Sequence, residues 1–182
     1  RWKNAALLAL AVLAVGYFFG IDISPIVGAL DQGGQSGEPR ELTAEEQEMG
    51  QFVSVVLADN EEVWHRVLPQ QAGVDYREPS LVMFSGMVNS ACGTAQSAMG
   101  PFYCPNDQKI YLDTDFFRTM SQRMGAKGDF AYAYVIAHEV GHHVQTLLGA
   151  TGKVDAMRGR VSQREQNALS VRLELQADCY AG

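Results

Sequence analysis

The stretch from Asp129 to Leu147 constrains this chain more than any other. No proline interrupts it, Asp129 is a suitable N-cap, and the next strong breaker is Gly149. At 100° per residue, Ala133, Ile136, Val140, Val144 and Leu147 fall on one face, while His138 and His142 project together from the opposite one. The pattern predicts a helix with a core face and a metal face. Two imidazoles at i and i+4 can reach one ion at the usual Zn–N distance of about 2.0–2.1 Å, and Glu139 is angularly placed to take a proton from water activated by that ion. The bland alternative is a pair of histidines on a solvated face. A helix rich in Ala, Val and Ile has no packing reason to carry Glu139 beside His138, His142 and His143, so the metal reading is the expectation. His143 lies about 140° round from His138 and cannot join the same ion; it is expected to be a satisfied structural or a surface histidine.

A catalytic zinc takes three protein ligands and leaves a fourth position for water, so a further ligand is expected on another helix. Ser162 and Glu165 form a capping-box pattern, and neither Gly nor Pro follows until Gly182, which predicts a helix over Gln163–Ala181. Within it Glu174 and Asp178 stand one turn apart. Glu174 suits the third ligand position, and Asp178 suits a carboxylate that orients a ligand histidine, His138 in the first instance, through its remaining ring nitrogen. The competing reading is a solvated acidic face with Arg172 nearby. Cys179 points away from the metal face and reads as a small buried hydrophobe or as the partner of a cysteine outside this chain.

The other segments read as scaffold. Thr43 and Glu46 form another capping box before Met49, Phe52, Val53, Val56 and Leu57; Asp59 is expected to cap a second short helix ended by Pro69. His65, among charged neighbours, reads as a surface residue. Leu81–Phe84 and Lys109–Asp113 read as strands separated by a Gly- and Ser-rich loop, and the second could offer its edge to an extended peptide. Tyr103, Tyr111, Tyr134 and Tyr180 are the candidate oxyanion donors, with no means of choosing among them.

The loop contains Cys92 and Cys104, whose significance depends on the compartment. From Ala5 to Ile21 every residue is apolar, Gly or Tyr; as a helix this run reaches about 25 Å at about 1.5 Å per residue. Arg1 and Lys3 precede it, so the positive-inside rule leaves the N-terminus in the cytoplasm and exports the remainder. A cleaved secretory signal is the alternative; Val27-Gly28-Ala29 is a poor cleavage site, and an anchor is the expectation. Either route makes a Cys92–Cys104 disulfide the expected state rather than two buried thiols, contributing roughly 3 kcal/mol.

The resulting layout is an N-terminal transmembrane anchor over residues 1–29, a flexible linker over 30–42 and one catalytic domain over 43–182 that is expected to continue beyond Gly182. A chain of 182 residues with 47% apolar content has room for one such folded unit. A net charge of -7 and scattered Lys and Arg exclude nucleic acid as an expected partner.

The motif His138-Glu139-Val140-Gly141-His142-His143-Val144-Gln145, followed by Leu173-Glu174-Leu175-Gln176-Ala177-Asp178-Cys179-Tyr180-Ala181-Gly182, resembles the bacterial family of putative neutral zinc metallopeptidases. The likeness extends through Ser90-Ala91-Cys92-Gly93, Gly100-Pro101-Phe102-Tyr103-Cys104-Pro105 and Gly128-Asp129-Phe130-Ala131. It implies an α+β, zincin-like fold of the glutamate-ligand class, mostly helical with a small sheet. It also implies one Zn2+ on His138, His142 and Glu174, with Glu139 as general base for hydrolysing a peptide or protein substrate. The anchored layout implies a single-pass protein of the bacterial inner membrane with its catalytic domain on the periplasmic or extracellular side. The reading from another class is a non-catalytic, membrane-anchored interaction module with zinc as a structural staple; Glu139, which such a module does not need, counts against it.

Overall fold

The computed structural model describes residues 21–22, 43–96, 99–124 and 128–182. The architecture is α+β, mostly helical with two small sheets. Its first helix, α1 (Ala44–Ala72), opens on the expected capping box, Thr43 and Glu46 satisfying each other's backbone N–H groups. The sequence predicts two helices here, and the structure has one. Asp59 is no cap but an exposed residue in mid-helix, because the buried stripe of Val53, Leu57, Trp64 and Leu68 runs straight past it. Tertiary packing of one continuous face outweighs the local capping signal. Pro69 sits in the last turn, and the helix stops only when Gly73, in the left-handed region at φ 67°, returns its N–H to the Pro69 carbonyl.

The main sheet has the order β1–β2–β6–β5, from β1 (Ile21–Asp22), β2 (Ser80–Phe84), β6 (Lys109–Asp113) and β5 (Phe102–Cys104). β2 runs parallel to β1 and β6, whereas β5 is antiparallel to β6 with Tyr103 opposite Ile110. Both faces of the central strands are covered, which is why they read as continuous apolar runs. Leu81, Met83, Ile110 and Leu112 join the helical core, while Val82, Phe84 and Tyr111 pack with Val88, Ala95 and Cys104 beneath a separate hairpin.

That hairpin, β3 (Met87–Ser90) with β4 (Gly93–Gln96), occupies what the sequence presents as a loop. Only Val88 and Ala95, cross-strand partners, are buried in it, so its alternation is too short to stand out. Cys92 in its turn is bridged to Cys104 at the end of β5. Asp107 adds a second tie, accepting from the Ala91 N–H and the Tyr111 hydroxyl.

Four further helices follow: α2 (Thr114–Met124), α3 (Gly128–Leu147), α4 (Ala150–Met157) and α5 (Gln163–Ala181). The sequence reading identifies α3 and α5 and misses α2 and α4. Among the described residues no helix is long and apolar enough to cross a membrane. The anchor expected over 1–29 and the linker over 30–42 lie outside the described residues apart from Ile21–Asp22, which form β1.

Candidate metal centre

Helix α3 is more deeply embedded than its two-faced pattern implies. Ile136, Val140 and Val144 are fully buried as expected, but Tyr132, Ala137, Gly141, His143 and Gln145 are buried too. Asp129 lies in the first turn rather than ahead of it. Gly141, inside the histidine motif, is what lets α5 approach: a Cβ there would sit 3.0 Å from the Ala177 carbonyl oxygen and 3.2 Å from its Cα. Close backbone contact at Ala177, the one buried residue of α5, sets Glu174 one turn earlier beside the histidine pair.

The capping box of Ser162 and Glu165 starts α5 where the sequence predicts. The structure brings His138, His142 and Glu174 to one point. The two Nε2 atoms are 3.1 Å apart, and Glu174 Oε2 lies 3.3 Å from His138 Nε2 and 3.4 Å from His142 Nε2. A tetrahedral ion with ligand bonds of about 2.05 Å holds its donors about 3.3 Å apart. The nearly equilateral donor triangle therefore fits a zinc ion, and two imidazoles with one carboxylate are the donor chemistry of an open zinc site. Among the described residues this is the group of His, Cys, Asp or Glu side chains arranged to hold a metal.

Asp178 reaches the far side of the first histidine: its Oδ1 lies 2.9 Å from His138 Nδ1 and accepts a second hydrogen bond, at 2.8 Å, from the Tyr134 hydroxyl. Because a carboxylate only accepts, His138 donates from Nδ1 and turns its Nε2 lone pair to the triangle. Hydrogen bonds from Tyr134 and then His138 hold the Asp178 carboxyl below its ordinary pKa, and the same contact raises that of Tyr134. The second histidine, His142, places Nδ1 2.9 Å from Oε1 of Gln145.

Glu139 is only 7% exposed. Burial pushes its carboxyl up to about 7; Glu174 adds to the rise, while His138 and the Tyr103 backbone N–H, which donates to the carboxylate, oppose it. The carboxyl forms part of the wall of a cleft of about 390 Å³ shared with His138, His142, Glu174 and, from β5, Phe102 and Tyr103. The strand over the cleft is thus β5. The expectation that Lys109–Asp113 offers a free edge is corrected: β6 is hydrogen-bonded on both sides, to β2 and β5, and β5 ends the sheet.

The tyrosines separate by their partners. Tyr111 donates to Asp107, Tyr180 packs edge-on against Trp64, and the Tyr103 hydroxyl lies 3.0 Å from His143 Nδ1. Of the four, Tyr134 is the one whose hydroxyl donates to a carboxylate of the site, that of Asp178. His143 is fully buried, with Nε2 donating to the Arg77 carbonyl at 2.6 Å, so it is the structural histidine of the two alternatives; burial lowers its pKa. His65 is exposed and pairs with Glu78. Cys179 is exposed and unbridged, which corrects the reading of a buried hydrophobe.

The residues that sequence reasoning misses are Gly141, Tyr134 as a partner of Asp178, and Gln145. A usable signal existed for the last: a polar amide three positions after His142 in an otherwise apolar helix.

Fold and site together define an α+β protein in which a glutamate from a second helix is brought to the two histidines of a helical HExxH motif, a group that could hold a metal ion. A family model described as "Putative neutral zinc metallopeptidase" matches residues 2–182, and the chain belongs to that family. It is 45% identical over 180 residues to the "Uncharacterized protein YpfJ" of Escherichia coli K12, covering 99% of this chain and 62% of that protein. It is 49% identical over 123 residues to the "Uncharacterized protein Rv2575" of Mycobacterium tuberculosis H37Rv, covering 66% of this chain and 38% of that one. The chain thus spans less than two thirds of the length of these relatives. No solved structure matches it.

Proposed function

We propose that the chain is the catalytic part of a zinc-dependent endopeptidase of zincin-like fold, with His138, His142 and Glu174 holding the ion and Glu139 as general base. The observation that carries this reading is the donor triangle of 3.1, 3.3 and 3.4 Å opening onto a cleft whose wall contains a buried, otherwise unexplained carboxyl group. When bound, zinc supplies Lewis acidity, lowering the pKa of water toward about 7 and polarising the scissile carbonyl. Glu139 accepts the proton of the attacking water and passes it to the leaving amine, a task suited to a carboxyl whose pKa burial raises toward neutrality. Asp178 keeps His138 in the tautomer that leaves Nε2 free. An extended peptide would lie along the outer edge of β5, the terminal strand of the sheet, and the open, cleft-like site suits an internal segment of a chain.

The proposal includes the setting: a bacterial inner membrane, with the apolar run ahead of β1 as the anchor, since Ile21–Asp22 belong to the sheet, and the catalytic domain on the periplasmic or extracellular side. The apolar run from Ala5 and the Cys92–Cys104 bridge support it. The test compares the full-length wild-type protein with its Glu139→Gln variant for cleavage of an unstructured protein in the presence of zinc. Cleavage lost in the variant while zinc stays bound is the expected result. Equal cleavage by both proteins contradicts the role of Glu139, and no cleavage by either favours a zinc-stapled interaction module.

A further inference from the structure

Gln145 is fully buried in the last turns of α3, yet every polar atom of its side chain is engaged. Its amide nitrogen donates to the Leu173 carbonyl at 2.6 Å and to the Gln176 side-chain oxygen at 3.1 Å, and its amide oxygen faces His142 Nδ1 at 2.9 Å. The orientation of this amide is not free. Reversing it would press an oxygen against the Leu173 carbonyl, an acceptor with no proton to give, and would face an N–H2 group toward His142. With the oxygen toward the ring, His142 must donate from Nδ1, which leaves its Nε2 as a lone pair directed at the donor triangle. A carbonyl on α5 therefore dictates the tautomer of a histidine on α3.

The same side chain acts on the other half of the centre. Leu173 and Gln176, its two partners on α5, bracket Glu174, so the amide holds the turn from which the third ligand projects. Gly141 lets α5 come close, and Gln145 fixes where along α3 it stops. We infer that Gln145 is a positioning residue that selects the metal-facing nitrogen of His142 and sets the placement of Glu174. This rests on the proposed ligand set and goes beyond it, since neither the HExxH core His138–His142 nor the acidic pair on α5 contains this residue.

The test uses 15N-histidine-labelled, chelator-treated protein at about pH 8, with two-bond 1H–15N correlations reporting the His142 tautomer and a competing chelator reporting zinc affinity. Wild type is expected to show His142 protonated at Nδ1. Gln145→Leu should shift it toward a mixture of tautomers and weaken zinc binding by about 10–100-fold. Gln145→Glu should keep the Nδ1–H form, because a carboxylate can replace the accepting oxygen, yet still weaken zinc binding because it cannot donate to Leu173. A residue that only stabilised the fold would lower the melting temperature and leave the tautomer unchanged.

Gln145→Leu binding zinc within about twofold of wild type overturns the inference. Wild-type affinity in Gln145→Glu overturns the part concerning Glu174. Should Gln145→Leu fail to fold, the wild-type spectrum still decides: His142 protonated at Nε2 contradicts the inference. A wild-type protein that binds no zinc but shows the Nδ1–H form counts against the proposed function and not against this one.

Discussion

Replacing Glu139 by Gln should stabilise the metal-free protein, by an amount that depends on pH in a way the structure specifies. The carboxyl is 7% exposed, and burial is the first cause of its rise from 4.5 to about 7. At 1.36 kcal/mol per pH unit the difference corresponds to ~3 kcal/mol of preference for the neutral acid in the folded state. The sign follows directly. A carboxyl whose folded pKa is raised contributes its full stability below the unfolded value of 4.5 and loses it as the pH climbs through about 7. Glutamine has no such dependence. In urea titrations of chelator-treated protein at about pH 5 and about pH 8, the stability gap between Glu139→Gln and wild type should widen by roughly 2–3 kcal/mol at the higher pH. Loading zinc should shrink the gap, since a nearby cation favours the ionised form. A gap that stays constant to within about 0.5 kcal/mol between the two pH values refutes the claim that this carboxyl is held near neutrality by burial.

Gly141→Ala places a Cβ against the Ala177 backbone at 3.0–3.2 Å, so α5 must retreat by a few tenths of an ångström; denaturation should show a loss of about 1–3 kcal/mol, and a chelator titration should show weaker zinc binding because Glu174 moves with its helix. Asp178→Asn leaves His138 Nδ1 without its carboxylate partner and should cost about 10–100-fold in zinc affinity, whereas Tyr134→Phe, which removes only the second hydrogen bond to Asp178, should cost much less. The double change Cys92→Ser with Cys104→Ser should lower stability by roughly 3 kcal/mol in thermal unfolding without changing zinc stoichiometry, because the bridge ties the hairpin to β5 and no metal ligand lies in either element.

The convergence of His138, His142 and Glu174 was legible because helical spacing is local: i and i+4 histidines share a face whatever surrounds them, and the Ser162–Glu165 cap announces the helix that bears Glu174 and Asp178. What eluded the sequence depends on contacts between elements. Asp59 looks like a cap until Val53 and Trp64 are seen to share one buried stripe. The β3–β4 hairpin buries two residues and so carries almost no periodic signal. β6 reads as a possible edge because pairing on both sides cannot be inferred from a five-residue run. Gln145 and Gly141 acquire their roles only when α5 lies against α3.

Zinc K-edge X-ray absorption on protein loaded with one equivalent of the metal tests the central claim most directly. The account predicts a four-coordinate zinc with two imidazole nitrogens and oxygen donors at about 2.0–2.1 Å, and a changed spectrum with weakened binding in Glu174→Ala. An absorber without the two-imidazole signature, or one indifferent to the loss of Glu174, contradicts it.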